Sequence, residues 1–350
     1  MPMKKLLVKL IDRLEKLPGE DTKPNFCCFG VTDNCILKCR MCYKWKEDIS
    51  VKPGNGHPAI SHWKDAVSSL REITDKGFLI NFGGGEPLLM EGLLELVRFA
   101  SDMGFRTNIA TNAYLIEEDM AKRIADSGLS TINISLDSKD ESSHDYLRGI
   151  DGVHAKAMQA IGHLHRYAPE LKKGICSVIY EINIDAIIEL VEAVEKDERM
   201  EWIYFMAAMQ PNNTIPDSEW YEREFSYLWP KDTKKAHSVI DRLIELKNRG
   251  YKIVNHTSQL KAFKSYFADP HKFVKIAQCN LSKAIHISSI GDVFICFDWA
   301  KLGNIKSDSL EDLWHSDKAK VIRRDISACK RNCHFLINCF FEGDFPFLFN

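Results

Sequence analysis

From Asn25 to Met206 the chain alternates short β-type runs with helical stripes, and this alternation restricts the possible fold more than any other feature. The strand candidates are Phe26–Val31, Phe78–Phe82, Phe105–Ala110, Thr131–Leu136, Gly174–Ile179 and Trp202–Met206. Between them lie apolar stripes at helical spacing. One is Trp63, Ala66, Val67, Leu70 and Ile73, with Ser61 as its N-cap. Others are Leu93, Leu94, Val97 and Ala100 before Gly104; Met120, Ile124 and Ala125 before Gly128; and Ile184, Ile187, Ile188, Val191 and Val194. Such β–α repeats predict a parallel sheet with right-handed crossovers, whose ligands gather at the C-terminal ends of the strands. Periodicity alone does not separate an open doubly wound sheet from a barrel-like one.

The flanking regions read differently. Leu6, Leu7, Leu10, Ile11, Leu14 and Leu17 fall on one stripe, stopped by Pro18-Gly19, and predict an amphipathic helix docked on the main domain. Gln210–Pro216 is a loop by composition, Asp232–Lys247 a helix, and Tyr251–Val254 a further strand. After Cys279, Ala284–Ser288 and Asp292–Phe297 form a hairpin around Ser289-Ile290-Gly291, followed by helices near Leu310–His315 and Lys318–Ile326. The expected divisions are 1–24, an N-terminal helix; 25–215, the core; 216–270, a helical linker; and 271–350, a small α+β cysteine-rich domain. The Phe-rich tail FFEGDFPFLFN is expected to pack back onto that domain.

Charge and cysteine usage narrow the function. Basic and acidic residues number 47 and 49, a balance that excludes a dedicated nucleic-acid binder. No apolar run reaches the length of a membrane span, and the N-terminus lacks the apolar core and cleavage site of a secretory signal, so a cytoplasmic protein is expected. Five of the eleven cysteines lie between Cys27 and Cys42, and five between Cys279 and Cys339. Clusters of this kind, without an export signal, read as metal ligation and not as a disulfide framework. Cys27 and Cys28 are expected to pack in the first strand, and the isolated Cys176 to be a small buried hydrophobe.

Cys35, Cys39 and Cys42 form a C-x3-C-x2-C triplet on the loop after the first strand. Three thiolates there can hold three irons of a [4Fe–4S] cluster and leave the fourth open to the amine and carboxylate of a small molecule. A structural zinc site would use four ligands. Gly83-Gly84-Gly85-Glu86-Pro87 follows the second strand, where glycines admit close backbone approach and Glu86 can accept from an ammonium group. Thr111-Asn112 ends the third strand and Ser135-Leu136-Asp137 the fourth. Arg148, in HDYLRG, can pair a carboxylate bidentately.

With these motifs in this order, Asn25 to Pro211 resembles the radical S-adenosylmethionine (SAM) superfamily, with Met41 where that family usually has an aromatic or aliphatic residue. The resemblance implies a partial (β/α)6 TIM-like barrel. It also implies that a cluster on Cys35, Cys39 and Cys42 cleaves SAM reductively to a 5′-deoxyadenosyl radical. Gly84, Gly85 and Glu86 would hold the SAM amino group, and Thr111, Asn112, Ser135, Asp137 and Arg148 its ribose and carboxylate. Asn183 would contact the nucleoside or simply cap a helix. An electron donor such as a ferredoxin or flavodoxin is implied.

The second cysteine group, with the hairpin and the stretches Leu302–Ile305 and Ser309–Trp314, resembles a SPASM or twitch domain. A full SPASM domain has seven cysteines; the five here, Cys279, Cys296, Cys329, Cys333 and Cys339, imply one auxiliary [4Fe–4S] cluster. Cys279 and Cys296 would be ligands, with two of the other three, and the sequence does not choose which. Zinc in the same cage is the alternative. Asp298 is a possible general base near that cluster, against the plainer reading of a solvated turn carboxylate. The substrate is expected to be a peptide or protein, or a small molecule. The residues before Asn25 are too few for the extra peptide-binding domain that peptide maturases often carry, which weakens the first reading. The rival is an electron-transfer or scaffold protein with a degenerate SAM site; the intact triplet and Glu86 count against it.

Overall fold

The computed structural model describes residues 22–46, 56–275 and 279–338. The expected N-terminal helix, Cys339 and the Phe-rich tail lie outside them. Six parallel strands follow one another in chain order: β1 (Phe26–Thr32), β2 (Leu79–Gly84), β3 (Arg106–Thr111), β4 (Thr131–Ser135), β5 (Lys172–Ile179) and β6 (Trp202–Ala207). Helices on the outer face connect them, which makes a partial TIM-like barrel. The side chains alternate as a strand requires. Phe29, Ile80, Phe82, Ile109, Ile132, Ile175 and Ile203 are buried toward the helices, where Trp63, Val67, Leu96, Val97, Ile124, Ile161 and Leu190 meet them. Phe29 stacks edge-on against Phe82 and packs on Trp63, with ring centroids 5.6 and 5.4 Å away.

The expected C-terminal hairpin is present but is not a separate layer. β7 (Ala284–Ile287) pairs in parallel with β1, and β8 (Asp292–Phe294) and β9 (Gly303–Asn304) continue antiparallel, so among the described residues one nine-stranded sheet runs β6-β5-β4-β3-β2-β1-β7-β8-β9. Tyr251–Val254 does not become a strand. It makes a single bridge, Ile253 to Ile203, because the chain turns away into a helix at Thr257–Ala268. That helix buries Gln259 among its apolar residues, which blurs its stripe. The helix Val153–Tyr167 rests on alanines at two of its five buried positions, which weakens its stripe too. Among the described residues no helix is long and apolar enough to cross a membrane.

The inner face of the sheet is polar. Asn108 donates to Asn81 (3.2 Å), Asn133 donates to Asn108 (3.1 Å), and the Trp202 indole N–H donates to Asn133 (2.9 Å). Asn81 completes the row by donating to the Cys27 carbonyl at 3.1 Å. This ladder of amides crosses β2, β3 and β4 and ends on an indole from β6. The indole reaches it by lying over Gly174 of β5, where an added Cβ would stand 1.8 Å from the Trp202 ring nitrogen.

Gly174→Ala must therefore expel the indole from its bond to Asn133. An overpacked inner face of this kind is expected to cost about 3 kcal/mol, read as a lower urea midpoint at unchanged slope. A wild-type midpoint would show that Trp202 turns away freely.

Candidate functional site

Two residues beyond Asn81, Asn108, Asn133 and Gly174, the same inner face carries Gly83, Ala110, Ser135 and Cys176. These four small residues form a shelf on adjacent strands β2 to β5, in the wall of a cavity of about 330 Å³. At Gly83 an added Cβ would meet nothing within 4 Å, so the space before it is open cavity. Cys176 thus faces the cavity instead of packing as a core hydrophobe, and burial pushes its thiol up to about 12.

The loop after β1 supplies the opposite wall with Cys35, Cys39 and Cys42. Main-chain bonds hold it on three sides. Gly85 and Glu86 donate their N–H groups to the carbonyls of Thr32 and Asn34, at 2.7 and 2.8 Å. Arg40 N–H donates to the Leu147 carbonyl (2.9 Å), and Tyr43 N–H to that of Asn212 (2.8 Å). Glycine is obligatory at these contacts. A Cβ on Gly84 or Gly85 would stand 2.2 Å from the Thr32 or Asn34 carbonyl oxygen, and Gly84 has φ +129°. The carboxylate of Asp33 takes the Lys44 ammonium and the Ser289 hydroxyl, which ties the loop to the β7–β8 turn.

Several of the expected ligand residues make internal hydrogen bonds. Glu86 is fully buried and accepts from Thr111 Oγ1 (2.7 Å), Asn112 N–H (2.9 Å) and Leu88 N–H (3.2 Å). It joins the ends of β2 and β3 and does not line the cavity, whose edge there is the main chain of Gly83–Gly85. Asp137 is likewise buried. It accepts from Val178 N–H (3.1 Å) and from Arg148 Nε and Nη2, at 2.8 and 2.7 Å. Arg148 lines the cavity with its charge already matched. Asn183 spends its amide on Tyr180 N–H and on the Asp137 and Val178 carbonyls. Thr111, Asn112 and Ser135 do line the cavity, and Asn112 Nδ2 lies 3.8 Å from Cys35 Sγ. The turn after them holds Ala113 at φ +64°, a strained conformation for a residue with a side chain.

Lys44, Trp45, Tyr180, Met206, Met209 and Asn212 also line the cavity, though no motif marks them. Strand period would have found Met206, which lies on the inner face of β6 with Trp202 and Tyr204. The others sit on loops, where no period operates.

The donor set suits a soft metal cluster: three thiols, with no carboxylate or imidazole among them. Burial raises the thiol pKa of Cys35 and pushes that of Cys39 up to about 12, a cost that a bound iron centre removes by taking the thiolate. Cys279, Cys296, Cys329 and Cys333 come within electrostatic range of one another, and burial pushes Cys279 to about 12 and Cys296 to about 11. Among the described residues no three His, Cys, Asp or Glu side chains close on one point as the ligands of a single metal ion do. Asp298 is ion-paired with Arg331 at 2.9 Å. It lines a second cavity of about 560 Å³, together with Gln210, Asn212, Ser218, Asn332 and Cys333. Asn212 belongs to both cavities.

Residues 30–194 match the radical SAM superfamily, and residues 279–339 match SPASM, an iron–sulfur cluster-binding domain. The chain thus carries a radical SAM superfamily domain followed by a SPASM-like iron–sulfur domain. An AdoMet-dependent heme synthase of Nitratidesulfovibrio vulgaris is 26% identical to it over 228 residues, 63% of this chain and 59% of the synthase. A PqqA peptide cyclase of Rhodopseudomonas palustris is 31% identical over 173 residues, 48% of this chain and 43% of the cyclase. The matched stretch is thus under two thirds of either relative. The crystal structure of Streptococcus suis SuiB bound to precursor peptide SuiA superposes with a TM-score of 0.65 at 16% identity, covering 99% of this chain and 79% of that one. At that identity the likeness is one of fold.

Two buried polar groups of the radical SAM domain lend themselves to measurement. Glu86→Ala strands three donors in a dry site, at a cost of about 3 kcal/mol. Hydrogen exchange at the Leu88 and Asn112 amides is expected to quicken; wild-type protection would show that water replaces the carboxylate. The second concerns His144, whose Nδ1 accepts from Asp137 N–H at 3.1 Å, so that its proton sits on Nε2. Burial lowers its pKa from 6.5 to about 3. The unfolded chain therefore takes up this proton first as the pH falls. The stabilisation is full above about pH 6.5 and is lost progressively toward about pH 3. Urea midpoints near pH 7.5 and pH 5 are expected to converge in His144→Gln; an undiminished difference would assign the acid sensitivity to other groups.

Proposed function

We propose that this chain generates a 5′-deoxyadenosyl radical from SAM seated over the Gly83–Ala110–Ser135–Cys176 shelf, and removes a hydrogen atom from a peptide substrate held in the second cavity. A [4Fe–4S] cluster on Cys35, Cys39 and Cys42 supplies, when bound, the electron that splits SAM into methionine and that radical. Gly83–Gly85 and Asn112 then border the amino-acid end of SAM. Arg148, neutralised by Asp137, offers its remaining N–H groups without presenting an unmatched charge. Ser135 and the flat shelf support the nucleoside, while Met206, Met209 and Tyr180 keep water from the radical. An external low-potential donor, such as a ferredoxin or flavodoxin, would provide the electron.

The observation that carries the reading is the second cavity, which meets the first at Asn212 and reaches Cys333. Gln210, Asn212, Thr214, Ser218 and Asn332 give it the neutral donors and acceptors that suit a peptide backbone. Among the described residues, Lys44 and Arg148 are the one lysine and one arginine on either wall, and both are already paired. A polyanionic ligand has no counter-charge there. A small-molecule substrate is the second reading, favoured by the likeness to a heme synthase. An auxiliary [4Fe–4S] cluster would sit on Cys279, Cys296, Cys329 and Cys333, whose thiols lie within range of one another.

Anaerobic reconstitution is expected to give about eight irons per chain, and about half that after Cys35, Cys39 and Cys42 are changed to Ala. The dithionite-reduced protein is expected to release 5′-deoxyadenosine from SAM, and Cys39→Ala none. Supplied with deuterated cell extract split by size, the enzyme is expected to place deuterium in 5′-deoxyadenosine from the peptide fraction. Deuterium from the small-molecule fraction alone would reverse the choice of substrate, and four irons per chain would remove the auxiliary cluster.

A further inference from the structure

Among the described residues β6 is the last strand on its side of the sheet, so the N–H and C=O groups along its outer edge need partners. At Ile203 they find backbone: its N–H donates to Lys252 C=O (2.8 Å), and its C=O accepts from Val254 N–H (3.1 Å). Two residues on, a side chain takes over. Phe205 N–H donates to Asn255 Oδ1 (2.7 Å), and Asn255 Nδ2 donates to Phe205 C=O (2.8 Å). Two further on the pattern repeats. Ala207 N–H donates to Asn338 Oδ1 (2.7 Å), and Asn338 Nδ2 donates to Ala207 C=O (3.0 Å). Two amide side chains thus stand in for a neighbouring strand. Gln259 links them, accepting from Asn255 Nδ2 (2.9 Å) and donating to Ile337 C=O (2.8 Å). All three side chains are buried.

The two clamps differ in what they reach. Asn338 ends the helix His334–Asn338, which starts directly after Cys333. Its partner Ala207 lines the first cavity, as do Met206 and Met209, and Asn338 Nδ2 also lies 3.8 Å from Met209 Sδ. The Tyr204 hydroxyl donates to the Asn338 carbonyl. Asn255 holds Phe205, which faces the helices and not the cavity.

We propose that Asn338 is a positioning residue: it fixes the Met206–Ala207–Met209 wall of the SAM cavity and so makes SAM affinity depend on the cysteine-bearing C-terminal segment. The inference rests on the reading of that cavity as the SAM site. Asn338→Asp is close to isosteric. It keeps the acceptor for Ala207 N–H but loses the donor and sets an oxygen against Ala207 C=O.

The test is the SAM dissociation constant of the reconstituted full chain, by equilibrium dialysis with labelled SAM. Asn338→Asp is expected to weaken SAM binding about ten-fold with iron content unchanged, whereas Asn255→Asp lowers the unfolding midpoint and leaves the constant within about two-fold. If that variant does not fold, Asn338→Ala, which leaves room for water, is expected to show the same weakening. Unchanged affinity in a folded, iron-loaded Asn338 variant, or equal weakening in Asn255→Asp, overturns the proposal while the SAM site stands. A wild-type protein that binds no SAM overturns both.

Discussion

A parallel sheet of six strands is too narrow to close on itself, and its two free edges govern much of what the rest of the chain does. Closure of such a barrel takes about eight strands. Here each edge must find backbone partners elsewhere, because a buried N–H or C=O left alone costs about 1–3 kcal/mol. On the β1 side β7 supplies them, and β8 and β9 carry the sheet outward. On the β6 side the segment Lys252–Val254 and the amides of Asn255 and Asn338 do so. Every one of these partners comes from sequence beyond the sixth repeat. The C-terminal third is therefore part of how the repeat region satisfies its own backbone.

The same geometry explains where the cavity lies. Residues on the inner face repeat every second position, so a row of asparagines at 81, 108 and 133 dictates a row at 83, 110 and 135 one step nearer the strand ends. The lower row is polar and bonded to itself, which fills the interior without demanding water. The upper row is Gly, Ala, Ser and, on β5, Cys, which leaves space. A cavity follows from that difference in volume. Its outer wall needs a loop that crosses the strand ends closely, and the glycines at 84, 85 and 149 are where it touches. A Cβ on Gly149 would stand 2.1 Å from the Lys38 carbonyl oxygen.

Much of this was legible in the residues. The alternation gave all six parallel strands within a few residues, and the triplet Cys35, Cys39 and Cys42 does line one wall of the cavity with Thr111, Asn112, Ser135 and Arg148. The resemblance places Glu86 and Asp137 on SAM and leaves Asn183 between the nucleoside and a helix cap. What it does not show is that Glu86 is held by Thr111 and two backbone N–H groups, Asp137 by Arg148 and Val178 N–H, and Asn183 by backbone groups, partners that only the folded chain brings near. Pattern likewise recognises a strand but not its neighbour. Nothing in Ala284–Ile287 says that it pairs with β1, some 250 residues earlier, and the asparagine ladder is invisible until β2, β3 and β4 are in register. Glu86 and the amides of the ladder are chosen by what lies beside them in space.

The two thiol groups are held by different means, and this bears on how each responds to metal. The Cys35–Cys42 loop is fixed by main-chain bonds to Gly85, Glu86, Leu147 and Asn212, none of which involves a cysteine side chain. Its shape is set by the repeat region, and a cluster would enter a site largely made in advance. Cys279, Cys296 and Cys333 instead ride on short elements: a single turn after Cys279, the turn just past a three-residue strand, and the five-residue helix after Cys333; Cys329 follows the helix Asp317–Ser327. Helices this short do not hold on their own in water, and these pieces are fixed by placing Leu281, Val293, Leu336 and Ile337 in the shared core. A cluster on these thiols would add its binding free energy to the folding of this region. Since Asn338 joins the last of these pieces to Ala207, the packing of the C-terminal segment also closes the edge of the strand that borders the cavity.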